Sequence, residues 1–205
     1  MHGNNIIKAG KPVEEAEKVL IMIHGRGGSA EDILSLSSYL NVDKYALLAP
    51  QATQHTWYPH SFLMPTDQNE PGLSSALQWL AAIEQGLIDQ GFASENIYFL
   101  GFSQGACLSL EYSSRHAKKY GGVIALTGGL IGDKLNAEKY HGDFEQTPVF
   151  IGSSDPDPHI PVDRVHASAE IIRDMHADVT VKIYKDRGHV ISQQEIDLAN
   201  TLIFV

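Results

Sequence analysis

The chain has 205 residues, of which 43% are hydrophobic and 20% are charged, as is typical of a globular protein. This length predicts one domain over residues 1–205 with a substantial core. The formal net charge of −10 makes binding to nucleic acid or to an anionic membrane unfavourable, because acidic side chains outnumber the basic ones that neutralise phosphate groups. The lone cysteine, Cys107, excludes an internal disulfide and a paired-cysteine metal motif.

The amino-terminal segment, residues 1–15, has no basic region followed by an apolar stretch. We therefore expect neither a signal peptide nor a membrane-spanning segment, and we expect a cytoplasmic location. Within this segment, the residues up to about Lys11 predict an edge strand.

The next part of the chain alternates between strand and helix patterns. Residues 18–23 (KVLIMI) and 45–50 (YALLAP) are continuous apolar runs, which predict strands that are covered on both faces. Between them, Ser29 is a suitable cap for a helix. The apolar face of that predicted helix consists of Ile33, Leu34, Leu36 and Leu40.

Residues 51–72 follow neither pattern and predict a long loop of the kind that often carries function. Residues 73–88 then resume helical spacing. The later predicted strands are 97–100, 122–127, 148–152 and 178–184, and the later predicted helices are 106–112, 161–175 and 192–204. This alternation predicts an α/β fold with a mostly parallel central sheet and helices on both faces. With 205 residues, we expect no separate cap domain.

The strongest chemical signal is a Gly-x-Ser-x-Gly pattern at residues 101–105, between a predicted strand and a predicted helix. This is the pattern of a nucleophile elbow, a sharp strand-to-helix turn that exposes the serine hydroxyl. The flanking glycines let neighbouring backbone pass without Cβ clashes. Ser103 is therefore the candidate nucleophile, the alternative being a serine that only caps the helix.

A serine hydroxyl needs a base to remove its proton, and that base needs an acid to orient it. His189 follows the last predicted strand and is the candidate base, the alternative being a solvated loop histidine. The loop after residues 148–152 offers two acids, Asp155 and Asp157, and the residues alone leave that choice open. The order serine, acid, histidine is that of an α/β-hydrolase triad.

Hydrolysis by an activated serine also requires backbone N–H groups that stabilise the oxyanion. One is expected from Gln104, directly after the nucleophile, and the other from Arg26 in the loop after residues 18–23. The glycines around Arg26 suit this role, although they also suit a simple tight turn.

The motifs HGRGG, GFSQG, DPHIP and GH, with the Trp57-Tyr58 pair, resemble those of the phospholipase/carboxylesterase family of α/β-hydrolases. That family includes the acyl-protein thioesterases and small bacterial carboxylesterases, and the resemblance runs over nearly the whole chain. It implies that Ser103 is the nucleophile and His189 the base. It also implies the two oxyanion donors named above, and a homodimer is common in the family.

The resemblance also bears on the choice of acid. In the family this residue is an aspartate four positions before a proline, a spacing that Asp157 has to Pro161. Asp155 instead has the usual distance from the strand-end glycine, Gly152, so this loop resembles a variant with two extra residues. We therefore favour Asp157 as the acid.

Three further residues are candidates for the substrate pocket. Trp57 and Tyr58 match a pair that lines the acyl side of the pocket in the family, although they could simply anchor the loop. His159 stands where the family usually has an apolar residue, and it could line the pocket, bind a polar substrate or hold a metal with the neighbouring aspartates. The ten histidines lack the spacing of a persuasive metal site, so we expect none. Cys107 is expected to be a small core residue.

We therefore expect a serine hydrolase that cleaves small carboxylic esters with short to medium acyl chains through an acyl-serine intermediate, without a cofactor. One alternative is an acyl-protein or other thioesterase, or a lysophospholipase. A second alternative is a binding protein that keeps the hydrolase fold without catalysis. With no cap domain, the site should be open and shallow, and bordered by residues 51–72.

Overall fold

The computed structural model describes residues 1–3 and 5–205. Its centre is a seven-stranded sheet in the order β1-β3-β2-β4-β5-β6-β7. The strands are β1 (Ile6–Gly10), β2 (Lys18–Ile23), β3 (Tyr45–Pro50), β4 (Ile97–Phe102), β5 (Gly122–Leu126), β6 (Pro148–Asp155) and β7 (Asp178–Lys185). Strand β1 is the predicted edge strand and runs antiparallel to β3, whereas the other neighbouring pairs are parallel.

Helices cover both faces of the sheet. They are α1 (Ala30–Leu34), α2 (Gly72–Asp89), α3 (Gln104–Arg115), α4 (Val162–Asp174) and α5 (Gln193–Leu202). Helices α2, α3 and α4 share one hydrophobic cluster with the sheet, whereas α1 and α5 belong to a second cluster. The buried apolar runs predicted this two-faced burial, and the predicted α/β class is confirmed. Among the described residues, no helix combines the length and apolar character that crossing a bilayer requires.

Most predicted elements differ from the observed ones by one to three residues at an end, and two of these differences have a clear physical reason. The helix predicted up to Leu40 is α-helical only to Leu34 and continues as a 3₁₀ turn over Ser35–Tyr39. Its serine hydroxyls donate to nearby backbone carbonyls, as Ser35 Oγ does to Asp32 O at 2.6 Å, and such bonds compete with regular helix. Strand β6 extends three residues beyond Gly152, because its last residues still pair with β7.

The predicted long loop over residues 51–72 contains only two short 3₁₀ turns, Thr53–His55 and Thr66–Asn69. The buried amide of Asn69 stabilises it, since its Oδ1 accepts from His60 N at 2.8 Å and its Nδ2 donates to Ser61 O at 3.0 Å. Strands β2, β4, β6 and β7 are parallel and end at the same edge of the sheet. The loops that follow them therefore converge beside residues 51–72.

Candidate active site

Ser103 lies in a strained turn between β4 and α3, with φ 53° and ψ −116°. Its N–H donates to Leu126 O at 3.0 Å, which holds the turn against β5. The flanking glycines are required by space, because a Cβ at Gly105 would overlap the Ile23 carbonyl and one at Gly101 would overlap the Gly105 carbonyl. The Gly-x-Ser-x-Gly pattern thus produces the sharp turn that was predicted from it.

The Ser103 hydroxyl is hydrogen-bonded to a histidine and, through it, to an aspartate. His189 Nε2 lies 2.7 Å from Ser103 Oγ, and His189 Nδ1 lies 2.9 Å from Asp157 Oδ2. With the proton on Nδ1, the ring donates to the carboxylate and its Nε2 accepts from the serine hydroxyl. The side chain of Asp157 is 0% exposed and that of His189 is 20% exposed, so water competes little for these bonds.

The structure brings Asp157, rather than Asp155, to His189. Asp157 Oδ1 accepts backbone hydrogen bonds from His159 at 2.7 Å and Ile160 at 2.9 Å. Burial disfavours its charged form, but the N–H of His159, the His189 ring and the N–H of Ile160 outweigh this and hold the pKa of Asp157 below its ordinary value of 3.8. Asp155 is the exposed last residue of β6.

The loop after β2 is organised by His24, which is only 1% exposed. Its Nδ1 donates to Gly25 O at 2.7 Å, and its Nε2 accepts from Ala52 N at 3.1 Å. Burial lowers the pKa of His24, so the ring is neutral and suited to this donor and acceptor pair. Two residues after His24, the guanidinium of Arg26 donates to Pro59 O at 2.8 Å and to His60 O. The sequence indicated a role only for the Arg26 backbone, and this side-chain contact was not predictable from it.

Gln104 begins α3, and the first N–H groups of a helix have no intrahelical acceptor. Its backbone N–H is therefore available beside Ser103. Its buried side chain has a second role that the sequence did not reveal: Oε1 accepts from Trp57 N at 2.8 Å, and Nε2 donates to Tyr58 O at 2.8 Å. Gln104 thus joins the elbow to the long loop.

Beside Ser103 lies a cleft of about 410 Å³. Its apolar lining includes Tyr58, Phe62, Cys107 and Ile160, and its polar rim includes Arg26, His60, Ser61 and His159. Of these, Phe62 and Ile160 were missed because nothing in the local pattern distinguishes them from core residues. Burial raises the pKa of the Cys107 thiol to about 12, so it stays protonated and unreactive near neutral pH.

The three residues predicted for the substrate pocket have different surroundings. Tyr58 and His159 line the cleft, and the His159 ring lies edge-on to His189 with centroids 4.9 Å apart. Trp57 does not line it: this residue is 0% exposed and donates from Nε1 to His24 O at 2.8 Å, which anchors the loop beneath the cleft. Within residues 1–3 and 5–205, no group of three or more His, Cys, Asp or Glu side chains could hold a metal ion.

Residues 4–204 match the profile of a family described as phospholipase/carboxylesterase. The chain belongs to the phospholipase/carboxylesterase family. The family membership, α/β-hydrolase fold and hydrolase function predicted from the motifs are therefore confirmed.

Similar proteins agree with that family assignment. A crystal structure of a phospholipase/carboxylesterase from Dyadobacter fermentans is 52% identical with a TM-score of 0.98, and the match covers 100% of this chain and 98% of that one. Acyl-protein thioesterase 1 of Saccharomyces cerevisiae is 27% identical over 96% of both chains. The protein of that name from Gibberella zeae is 31% identical over 64% of this chain and 57% of its own.

Proposed function

We propose that this family member hydrolyses carboxylic esters with short to medium acyl chains through an acyl-enzyme formed on Ser103. The observation that carries the proposal is the continuous hydrogen-bonded series from Asp157 through His189 to Ser103, with distances of 2.9 and 2.7 Å. A serine that merely capped α3 would have no need of a histidine and a buried carboxylate in line with it.

The first half of the reaction forms the acyl-enzyme. His189 Nε2 removes the proton of Ser103 as Oγ attacks the ester carbonyl, and the N–H groups of Arg26 and Gln104 stabilise the oxyanion. The charge that develops on the imidazole is stabilised by Asp157, whose lowered pKa keeps it ionised near neutral pH. His189 then protonates the leaving alcohol.

In the second half, water enters in place of the alcohol. His189 removes a proton from this water, which attacks the acyl carbonyl, and the same N–H groups stabilise the second oxyanion. Return of the proton to Ser103 Oγ releases the carboxylic acid and restores the starting state. Each step uses only side chains and backbone groups of this chain.

A thioesterase acting on acylated protein is the second candidate, and the similarity to the yeast acyl-protein thioesterase over nearly the whole chain favours it. A thioester carbonyl would meet the same groups, with a thiol leaving in place of an alcohol. A lysophospholipase activity would differ again in the leaving group. The expected cytoplasmic location, single-domain organisation and homodimer stay predictions.

Hydrolysis of p-nitrophenyl esters of graded acyl length tests the proposal, with palmitoyl-thioester peptide and lysophosphatidylcholine measured in parallel. We expect turnover that is greatest for short or medium chains and lost in Ser103→Ala. Ser61→Ala is the matched control, because this serine also borders the cleft but is exposed, and it should retain activity. A folded wild-type protein that hydrolyses no ester would contradict the proposal, and a preference for either of the other substrates would favour the alternatives.

A further inference from the structure

We propose that a second, smaller pocket beside the triad binds the leaving alcohol of the substrate and selects alcohols that carry an apolar ring. This proposal rests on the proposed function, because it concerns the alcohol that His189 protonates.

The second pocket, which we term the alcohol pocket, has a volume of about 200 Å³. Its apolar walls are formed by Ile33, Leu36, Phe102 and Ile191, with Gly25 and Gly28 between them. Ile33 and Leu36 come from α1 and the turn after it, whereas Ile191 comes from the loop that carries His189. An apolar cavity of about 150 Å³ is large enough for benzene, so a single ring fits a pocket of this size.

The alcohol pocket lies next to the nucleophile at Gly25, which is part of its lining. A Cβ on Gly25 would lie 3.2 Å from Phe102 Cδ1 and 3.4 Å from Ser103 Cβ, so the glycine lets the pocket wall pack closely against the elbow. The ring of Phe102 also lies against His189, with centroids 5.3 Å apart. The walls of the alcohol pocket therefore adjoin both the attacking serine, at Gly25, and the histidine, at Phe102.

The two depressions thus lie beside each other, and Arg26 borders both of them. The larger cleft contains Tyr58 and the rest of the loop that we assign to the acyl group. An ester bound to Ser103 has two substituents, and the leaving oxygen must lie beside His189 to receive its proton. The alcohol pocket, whose wall residue Phe102 contacts that ring, is the space available to the alcohol.

The charge around the alcohol pocket indicates which alcohols it accepts. Asp32 is the one carboxylate in its lining, where Oδ2 accepts from Ser29 N at 2.8 Å. Arg26 also lines the pocket, and its positive charge offsets that of the carboxylate. Because the lining carries no net charge, its apolar walls point to a neutral alcohol such as an aryl-methyl or cycloalkyl-methyl alcohol.

Hydrolysis of ethyl, benzyl and cyclohexylmethyl butyrate tests this inference, each rate being divided by the rate of hydroxide-catalysed hydrolysis of the same ester. The acyl group is constant in this series, so a difference in kcat/KM reports the alcohol. We expect the two ring-bearing esters to exceed ethyl butyrate by about tenfold or more, the discrimination that a well-fitting apolar pocket provides.

Two variants fill the pocket from opposite walls, Ile191→Trp and Leu36→Trp. Each should lower kcat/KM for the two ring-bearing esters at least about tenfold more than for ethyl butyrate, and so abolish the preference for them. Val190→Trp is the control, because Val190 is 53% exposed and lies outside the pocket lining; it should retain the preference. No preference in wild type, or equal loss for all three esters in both filling variants, would overturn the inference.

A binding measurement separates this inference from the proposed function. Benzyl alcohol titrated into Ser103→Ala should shift the methyl NMR signals of Ile33 and Ile191 more than those of Ile160 in the acyl cleft. That result supports the alcohol pocket even if no ester is hydrolysed, whereas shifts confined to the cleft, or none at all, overturn it. Burial of this face against a second copy of the chain would also overturn it, and would appear as loss of the shifts at protein concentrations that favour dimers.

Discussion

Replacing Asp157 by asparagine should move the ring proton of His189 from Nδ1 to Nε2. Asp157 Oδ1 accepts from two backbone N–H groups, those of His159 and Ile160. In the variant the amide oxygen must occupy this position, because an NH₂ group there would face two donors. The NH₂ group is thereby directed at His189 Nδ1, which then has to accept. The ring proton moves to Nε2, where it faces Ser103 Oγ and prevents Nε2 from acting as the base.

The expected cost of this wrong tautomer is a loss of about 10³ to 10⁴ in kcat, equivalent to ~4–5.5 kcal/mol of transition-state stabilisation. Initial rates with p-nitrophenyl butyrate measure it, together with far-UV circular dichroism to verify the fold. Asp155→Asn is the matched control, and we expect it to retain kcat within about threefold because Asp155 is exposed at the end of β6. A loss below tenfold in Asp157→Asn, or an equal loss in both variants, would refute the assignment of the acid.

Three further predictions concern stability and the long loop. Because the folded pKa of Asp157 lies below its ordinary value of 3.8, its ionised form contributes stability that is present above about pH 4 and lost as the pH falls through the folded pKa. The difference in unfolding free energy between wild type and Asp157→Asn, from urea titrations, should therefore shrink between pH 6 and pH 3; a constant difference would contradict this. Gly105→Ala should destabilise the fold by more than about 3 kcal/mol, since its Cβ would overlap the carbonyls of Ile23 and His24. Gly86→Ala is the control, because Gly86 lies in α2 with open space around it and the variant should keep its stability. Equal urea midpoints for the two variants would contradict this prediction. Gln104→Ala should speed amide exchange in residues 51–72 and raise KM, because Trp57 N and Tyr58 O lose their partners; unchanged exchange would contradict this role.

Much of the sheet was predictable because its strands are buried on both faces and appear as uninterrupted apolar runs. KVLIMI and YALLAP correspond residue for residue to β2 and β3. The end of β6 was not predictable, because Ser153 and Ser154 are polar residues that become buried only when β7 pairs beside them. The end of α1 was missed for a related reason, since a serine-rich apolar pattern suits a 3₁₀ turn as well as a helix.

The placement of Ser103, Asp157 and His189 followed from motifs whose backbone geometry is restricted. Contacts between distant loops were not accessible in the same way. Nothing in the sequence indicates that the Gln104 side chain binds the backbone of Trp57, or that Trp57 points under the cleft instead of into it. Such contacts depend on how residues 51–72 fold back over the elbow, and that path has no periodic signal.

Labelling with a fluorophosphonate, followed by peptide mapping of the modified residue, tests the central claim most directly. The reagent reacts only with a serine that a neighbouring base activates, and it does not depend on the identity of the natural ester. We expect stoichiometric modification of Ser103, which should be absent from Ser103→Ala and strongly slowed in His189→Ala. Modification at another serine, or no modification of the folded protein, would contradict the claim that Asp157, His189 and Ser103 form a working triad.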